Sequence, residues 1–183
     1  QENYDRGVYR GGRLVHHNIF TGKTEDMGIP LEGSSWPYQC CDWDRGILFG
    51  VSQTSGGVIA YDTTARRMIF GGCPPGGISW YMRCVLLDRD TGYIYSTDSP
   101  LDGKTGRPLK SEHPILRWER RNNVFRYMQS KVPVNPATGK SGPIRAHVNR
   151  KDASGAFRCI DSWGSIFKFW PGEDRAEYSG TVW

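Results

Sequence analysis

One unit of four short runs, repeated in register, constrains this chain more than any other feature of it. Its cleanest copy lies between Pro143 and Gly180. The runs are Ile144-Arg-Ala-His-Val, Ala156-Phe-Arg-Cys-Ile, Ile166-Phe-Lys-Phe-Trp170 and Ala176-Glu-Tyr178. Between them stand Lys151 to Gly155, Asp161-Ser-Trp-Gly and Pro171-Gly-Glu-Asp, which are turn residues for physical reasons: positive φ, preset φ, or a side-chain oxygen that caps its own backbone. In the third run Ile166, Lys168 and Trp170 alternate with Phe167 and Phe169, so an extended chain there buries one face more deeply than the other. The unit reads as an antiparallel meander of four strands.

Aligning the first-turn glycine, at Gly46, Gly92 and Gly155, lays the same unit over the middle of the chain. Second runs then match as Ile47-Leu-Phe-Gly, Tyr93-Ile-Tyr-Ser and Ala156-Phe-Arg-Cys. Third runs match as Gly57 to Asp62, Pro114 to Glu119 and Ser165 to Trp170, and fourth runs as Met68-Ile-Phe, Val124-Phe-Arg-Tyr and Ala176-Glu-Tyr. The glycines lie 46 and then 63 residues apart, the longer interval holding loops at Pro100 to His113 and Pro133 to Gly142. A four-stranded repeat of about 40–50 residues is the signature of a β-propeller blade. The expected fold is all-β, a β-propeller of four-stranded antiparallel blades with about three and a half present; a β-sandwich with accidental internal similarity is the alternative.

Blades are expected at 36–72, 80–130 and 143–180, after a partial blade at 7–30 in which Arg13 to Asn18 aligns with a third strand and Thr24 to Gly28 with a fourth. Thr181-Val-Trp183 reads as the start of a further strand. Propellers close with typically 4 to 8 blades, and an open fan leaves unpaired strand edges. The expectation is a portion of a ring, completed by remaining blades on the same or another chain.

Composition agrees: 23 glycines and 13% aromatic residues suit a turn-rich β chain, and no long window carries helical periodicity. No apolar run is long enough for a membrane helix, and no membrane partner is expected. The net charge of +5 is spread over small clusters at Arg66-Arg67, Arg117 to Arg126 and Arg145 to Lys151. Solvated blade edges account for them, since charge there discourages edge pairing; the other reading is a field that draws a polyanion. Nucleic acid is not expected, because no recognition motif accompanies the charge. Five cysteines, Cys40, Cys41, Cys73, Cys84 and Cys159, lack the spacing of a zinc ribbon or a haem attachment site and read as buried thiols, with a vicinal Cys40–Cys41 disulfide as the alternative.

In a propeller the innermost strands line a channel, and the segments entering them build the ligand face. Here those segments are Ser34 to Cys41, Ser79 to Cys84 and Gly142 to His147. Arg83 and Arg145 take nearly matched places on consecutive blades, so two guanidiniums are expected to face one channel, suited to forking onto a carboxylate or sulfate, with salt bridges to neighbouring acids between blades as the alternative. Strand alternation puts His147 on the face of Arg145 and Tyr81 on that of Arg83. Neighbouring cations favour the neutral imidazole, a general base, and a phenol of lowered pKa works as acid or base. His16 and His17 are adjacent on a third strand and point to opposite faces, which argues against a shared metal ion. His113 is expected in a solvent-exposed loop, and Asp88, Asp90 and Asp98 as turn formers.

From about Gly7 to Gly180 the blade pattern resembles the seven-bladed propellers of polysaccharide lyases, the ulvan and oligogalacturonate lyases especially, and secondarily the gluconolactonase-like proteins. The resemblance implies lysis of a uronate-containing anionic polysaccharide by β-elimination. His147 and Tyr81 would transfer protons, and Arg83 and Arg145 would neutralise the carboxylate as charge develops at C5. A polysaccharide substrate favours a secreted or periplasmic protein. No cofactor or metal is implied, because the histidine cluster that holds manganese in oligogalacturonate-type lyases is not found. The alternative is a non-catalytic propeller that binds a glycan or protein through its channel face, with the arginines serving recognition alone. A lactonase would need a channel metal held by acidic and amide side chains, and no such inward-facing set is read. The adjacent Cys40 and Cys41 resemble the vicinal pair of quinoprotein alcohol dehydrogenases, whose tryptophan-docking repeat is absent.

Overall fold

A computed structural model describes residues 10–30, 32–33, 35–36, 38–51, 58–72, 84–97, 113–119, 124–148 and 150–182. Fourteen strands and no helix occur among them. Strands β1 (Val15–His17) and β2 (Thr24–Asp26) form a hairpin. A first four-stranded sheet follows, from β3 (Tyr38–Asp42), β4 (Ile47–Val51), β5 (Val58–Asp62) and β6 (Arg67–Gly72). The second contains β7 (Leu86–Asp88), β8 (Tyr93–Thr97), β9 (Pro114–Glu119) and β10 (Val124–Lys131). The third contains β11 (Ile144–His147), β12 (Phe157–Asp161), β13 (Ser165–Trp170) and β14 (Arg175–Thr181). Each sheet is an antiparallel meander in sequence order, so the three expected units fall on the three sheets.

The turns explain why the copies align. Gly46, Gly92 and Gly155 stand at φ +64°, +73° and +81°, the left-handed conformation that closes the first turn of each sheet and that a β-carbon disfavours. The third turn ends on the same conformation without glycine, at Arg66 (φ 54°) and Asp174 (φ 48°). Both residues reach back to the preceding sheet. The Arg66 guanidinium forks onto Glu25 of β2 at 2.8 and 2.9 Å. The Asp174 carboxylate accepts from Gln129 N, Ser130 N and Ser130 Oγ of β10.

Alternation gives the middle sheet two buried faces. Val85, Leu87, Ile94, Leu116 and Trp118 pack on Phe49, Val51 and Ala60 of the first sheet. Cys84, Leu86, Tyr95, Ile115 and Met128 pack on Phe157, Cys159, Phe167 and Phe169 of the third. Phe167 and Phe169 are fully buried while Ile166 and Lys168 are only half-buried, the asymmetry expected for that strand. Aromatic rings fill the first interface: Trp118 stacks on Phe125 at 5.8 Å and 11°, lies 5.0 Å from Phe70 and meets Phe49 edge-on. Such pairs add about 0.5–1.5 kcal/mol each beyond the area they bury.

One expectation fails in the second sheet. His113 is not solvent-exposed; it is 5% accessible. Its carbonyl accepts from Val132 N where the chain leaves β10, which draws the residue under that segment.

Candidate functional site

The channel-side segments before β3 and β7 are described in part, whereas the entry to β11 is described throughout. Buried Asp161 builds it: Oδ2 accepts from Gly142 N at 3.0 Å, and Oδ1 accepts from Trp163 N and Ser165 N, both at 2.8 Å. Ile144 N donates to Thr97 Oγ1 of the second sheet at 2.9 Å, which fixes the first residue of β11 against its neighbour. A β-carbon on Gly142 would lie 2.1 Å from Ser162 Oγ and 2.9 Å from Trp163 Cδ1, so the two turns touch closely.

Arg145 and His147 do not share a face. Ile144 pairs with Asp161, Ala146 with Ile160 and His147 with Cys159, so Arg145 is an extra residue in a β-bulge and two-residue alternation does not carry across it. Arg145 is exposed and makes no hydrogen bond or ion pair with the described residues. His147 lies on the face of Cys159, toward the second sheet, where Nε2 donates to Val85 O at 3.1 Å. That tautomer leaves Nδ1 as an acceptor, and it is buried without a partner among the described residues. Burial holds the imidazole below its ordinary value, against the pull of its backbone hydrogen bonding. The ring is neutral and ties two sheets together. Tyr81 and Arg83, the other expected site residues, lie outside the described residues.

The same end of the third sheet carries a pair that sequence reasoning missed. Trp163, in the turn between β12 and β13, is 51% exposed, and Lys140 Nζ stands 4.6 Å from its ring centroid. The antiparallel pairing of Ile144 with Asp161 brings that turn beside the start of β11, the strand that carries Arg145. A tryptophan inside a Gly/Ser turn has no strand position to fill, and that was the available signal.

Other candidates resolve plainly. His17 Nδ1 lies 2.8 Å from Thr24 Oγ1 on the exposed hairpin, and no three His, Cys, Asp or Glu side chains come together among the described residues. Cys40, Cys41, Cys84 and Cys159 are free thiols. Burial pushes Cys40 and Cys84 up to about 12 and raises Cys159 as well, so none of the three is a ready nucleophile. Cys73 lies outside the described residues.

No protein-family model matches the sequence, and no curated protein matches it significantly. Solved structures do. The chain is similar to a Bacteroides uniformis protein provisionally assigned as a 6-phosphogluconolactonase, with TM-score 0.59 and 12% identity over 93% of this chain and 48% of that one. It is similar to a chain of the nidogen–laminin complex, with TM-score 0.57 and 14% identity over 93% and 57%. The third is the WD40 domain of Toxoplasma gondii coronin, with TM-score 0.54 and 12% identity over 94% and 40%. The chain thus spans about half the length of the structures it matches. At such identities the likeness shows the fold alone: these residues form a portion of a β-propeller built from four-stranded antiparallel blades.

Proposed function

We propose that this propeller portion binds an acidic glycan through the end of the sheets where β11 begins, and that it does so without cleaving it. The carrying observation is Arg145, an exposed guanidinium with no partner among the described residues, set at a bulge in the mouth of an inner strand. Lys140 and Trp163 at the same end supply a second cation and an aromatic face for the apolar side of a sugar ring. His147 Nδ1, the nitrogen left to take a proton, is buried, and burial lowers the basicity of the ring, so the imidazole is a poor base for proton abstraction. A secreted or periplasmic location, and further blades on the same or another chain, belong to this reading.

Arg145 also favours a second reading. The lyase chemistry needs a free guanidinium to neutralise the uronate carboxylate while a base takes the C5 proton, the C4–O bond breaks, a C4=C5 double bond forms and the leaving oxygen is protonated. The base would then be Tyr81, with Arg83 as the second carboxylate ligand.

Affinity electrophoresis in polygalacturonate and other uronate polysaccharides tests both readings, with ultraviolet absorbance of the unsaturated product followed on the same mixtures. Retardation without absorbance supports the binding reading, and Arg145→Ala should weaken it about tenfold, the loss of one charge-assisted pair. Growing absorbance that Tyr81→Phe abolishes establishes the lyase. No retardation and no product overturns both.

A further inference from the structure

Between the second and third sheets, at the end away from the start of β11, lies an open cavity of about 350 Å³, within the range of small-molecule sites. Its apolar lining is Tyr93, Tyr95 and Trp170, and its polar lining includes Arg117, Asp88 and Glu173. Nothing in the proposed glycan site involves it.

On the Arg117 wall one carboxylate serves two cations. Arg117 Nη2 donates to Glu119 Oε1 at 2.5 Å, but the same oxygen takes Arg126 Nε at 3.5 Å, so two guanidiniums share one carboxylate. Arg117 Nε is buried and has no acceptor among the described residues. The guanidinium lies 5.1 Å from the Tyr93 ring centroid, which fixes its plane. A planar guanidinium preset at the lining of an open cavity, whose one carboxylate partner is divided with a second arginine, is suited to fork onto the carboxylate of a ligand.

Beyond Arg117 the lining has another chemistry. Asp88 and Asp90 share Lys151 Nζ at 2.8 and 2.5 Å, so acceptors outnumber donors there, and Glu173 adds a further carboxylate at the rim. Ser154 Oγ accepts from Trp170 Nε1 at 3.1 Å. That side suits hydroxyl donors. Burial raises the Tyr95 phenol, with Asp88 adding to the shift against the opposing pull of its hydrogen bond with Arg117, so it remains a neutral O–H beside the cavity.

We propose that this cavity is a binding site for a single sugar acid, its carboxylate on Arg117, its hydroxyls toward the Asp88 and Glu173 side, and its ring against the two tyrosines. The site is separate from Arg145 and stands whether or not the glycan reading does.

The test is an NMR titration of the ¹⁵N-labelled chain with glucuronate, and with glucose as the neutral match. Glucuronate should give saturable shifts at the Trp170 indole and the Tyr93 and Tyr95 amides, and glucose should give none. Arg117→Lys keeps the charge beside Glu119 but loses the planar fork, and should weaken glucuronate at least tenfold. Gly172→Leu is the second variant: a β-carbon there meets nothing within 4 Å, so it adds bulk at the rim without a backbone clash and should also abolish binding. Arg145→Ala should leave these shifts unchanged, which separates this site from the glycan site. The proposal is overturned if glucuronate gives no saturable shift, if glucose matches it, or if folded Arg117→Lys and Gly172→Leu both bind as tightly as the parent chain.

Discussion

Substitution of Asp174 distinguishes two accounts of how neighbouring sheets are held at their rims: by hydrogen bonding, or by their cores alone. Asp174 sits in the last turn of the third sheet at φ 48° and accepts from Ser130 Oγ at 2.7 Å and from Ser130 N and Gln129 N, each at 2.9 Å. Burial opposes its ionisation, but those donors outweigh it and hold the carboxyl below the usual range. A hydrogen bond to a charged group is worth about 1.5–3 kcal/mol when desolvated. The site is only part-buried, so we take about 1 kcal/mol for each backbone donor, and Asp174→Ala should cost about 2 kcal/mol. Asp174→Gly loses the same bonds but gains up to about 1 kcal/mol by relaxing the left-handed conformation, for a net loss of about 1 kcal/mol. Asp174→Asn keeps one acceptor oxygen and tolerates that conformation, and should also lose about 1 kcal/mol. At roughly 2–4 °C per kcal/mol for a chain of this size, the alanine variant should melt about 4–8 °C lower. Because the folded pKa is depressed, the contribution is complete above the unfolded value near 3.9 and is lost as pH falls through the folded value, so the gap between parent and alanine variant should close in acid. Urea denaturation followed by circular dichroism reads both effects. A glycine variant at least as stable as the parent at neutral pH, or an alanine gap unchanged in acid, would refute the reasoning.

His147→Ala should cost about 1–2 kcal/mol by freeing the Val85 carbonyl. Since burial depresses the folded pKa of His147, its contribution is complete above the unfolded value near 6.5, and the denaturation gap between parent and variant should shrink below it; a gap that widens in acid contradicts this. Gly142→Ala must displace Ser162 or Trp163 and should cost about 1–3 kcal/mol, with a shift in Trp163 fluorescence as the turn moves; an unchanged melting curve and spectrum would show the contact to be slack. In thiol labelling of the native chain read by mass spectrometry, Cys40, Cys84 and Cys159 should be protected until denaturant is added, whereas half-buried Cys41 is modified first of the four; early modification of Cys84 would contradict its burial.

The strands and turns were legible because their determinants are local. The alternation in Ile166 to Trp170 and the glycines at 46, 92 and 155 state their conformations within a few residues, and the repetition supplied the pairing order. What the pattern could not show was a one-residue insertion: the bulge at Arg145 leaves the apolar spacing of its strand intact yet moves His147 to the other face. Nor could it show ties made over long stretches, since Arg66 to Glu25 and Asp174 to Ser130 join residues 41 and 44 apart. His113 misled because its burial is imposed by the Val132 segment above it. One signal was present and unread. Asn18 to Lys23 and Asn135 to Lys140 share the pattern Asn-x-x-Thr-Gly-Lys; in both, the Asn side chain caps the turn and the glycine is left-handed, at φ 68° and 65°.

The repeat assigns positions, and the residue placed there decides what each interface becomes. Ala60, Arg117 and Lys168 occupy one matched third-strand position, facing the following sheet. In the first sheet alanine is small enough for Phe49 and Trp118 to close over it, and the interface is an apolar core. In the second a guanidinium stands in the same place and cannot be buried in a dry core without full pairing. The interface therefore stays open around it, and the cavity is the result. In the third, Lys168 turns to Asp152 of its own sheet at 3.2 Å, and Arg158 approaches the same carboxylate at 3.6 Å. The corresponding acid of the second sheet, Asp88, is instead met by Lys151 from the sheet that follows. Arg117→Ala should accordingly convert the second interface toward the first, drawing Tyr93 and Trp170 inward and shrinking the cavity. If the cavity persisted in that variant's crystal structure, the backbone and not the guanidinium would be what holds it open.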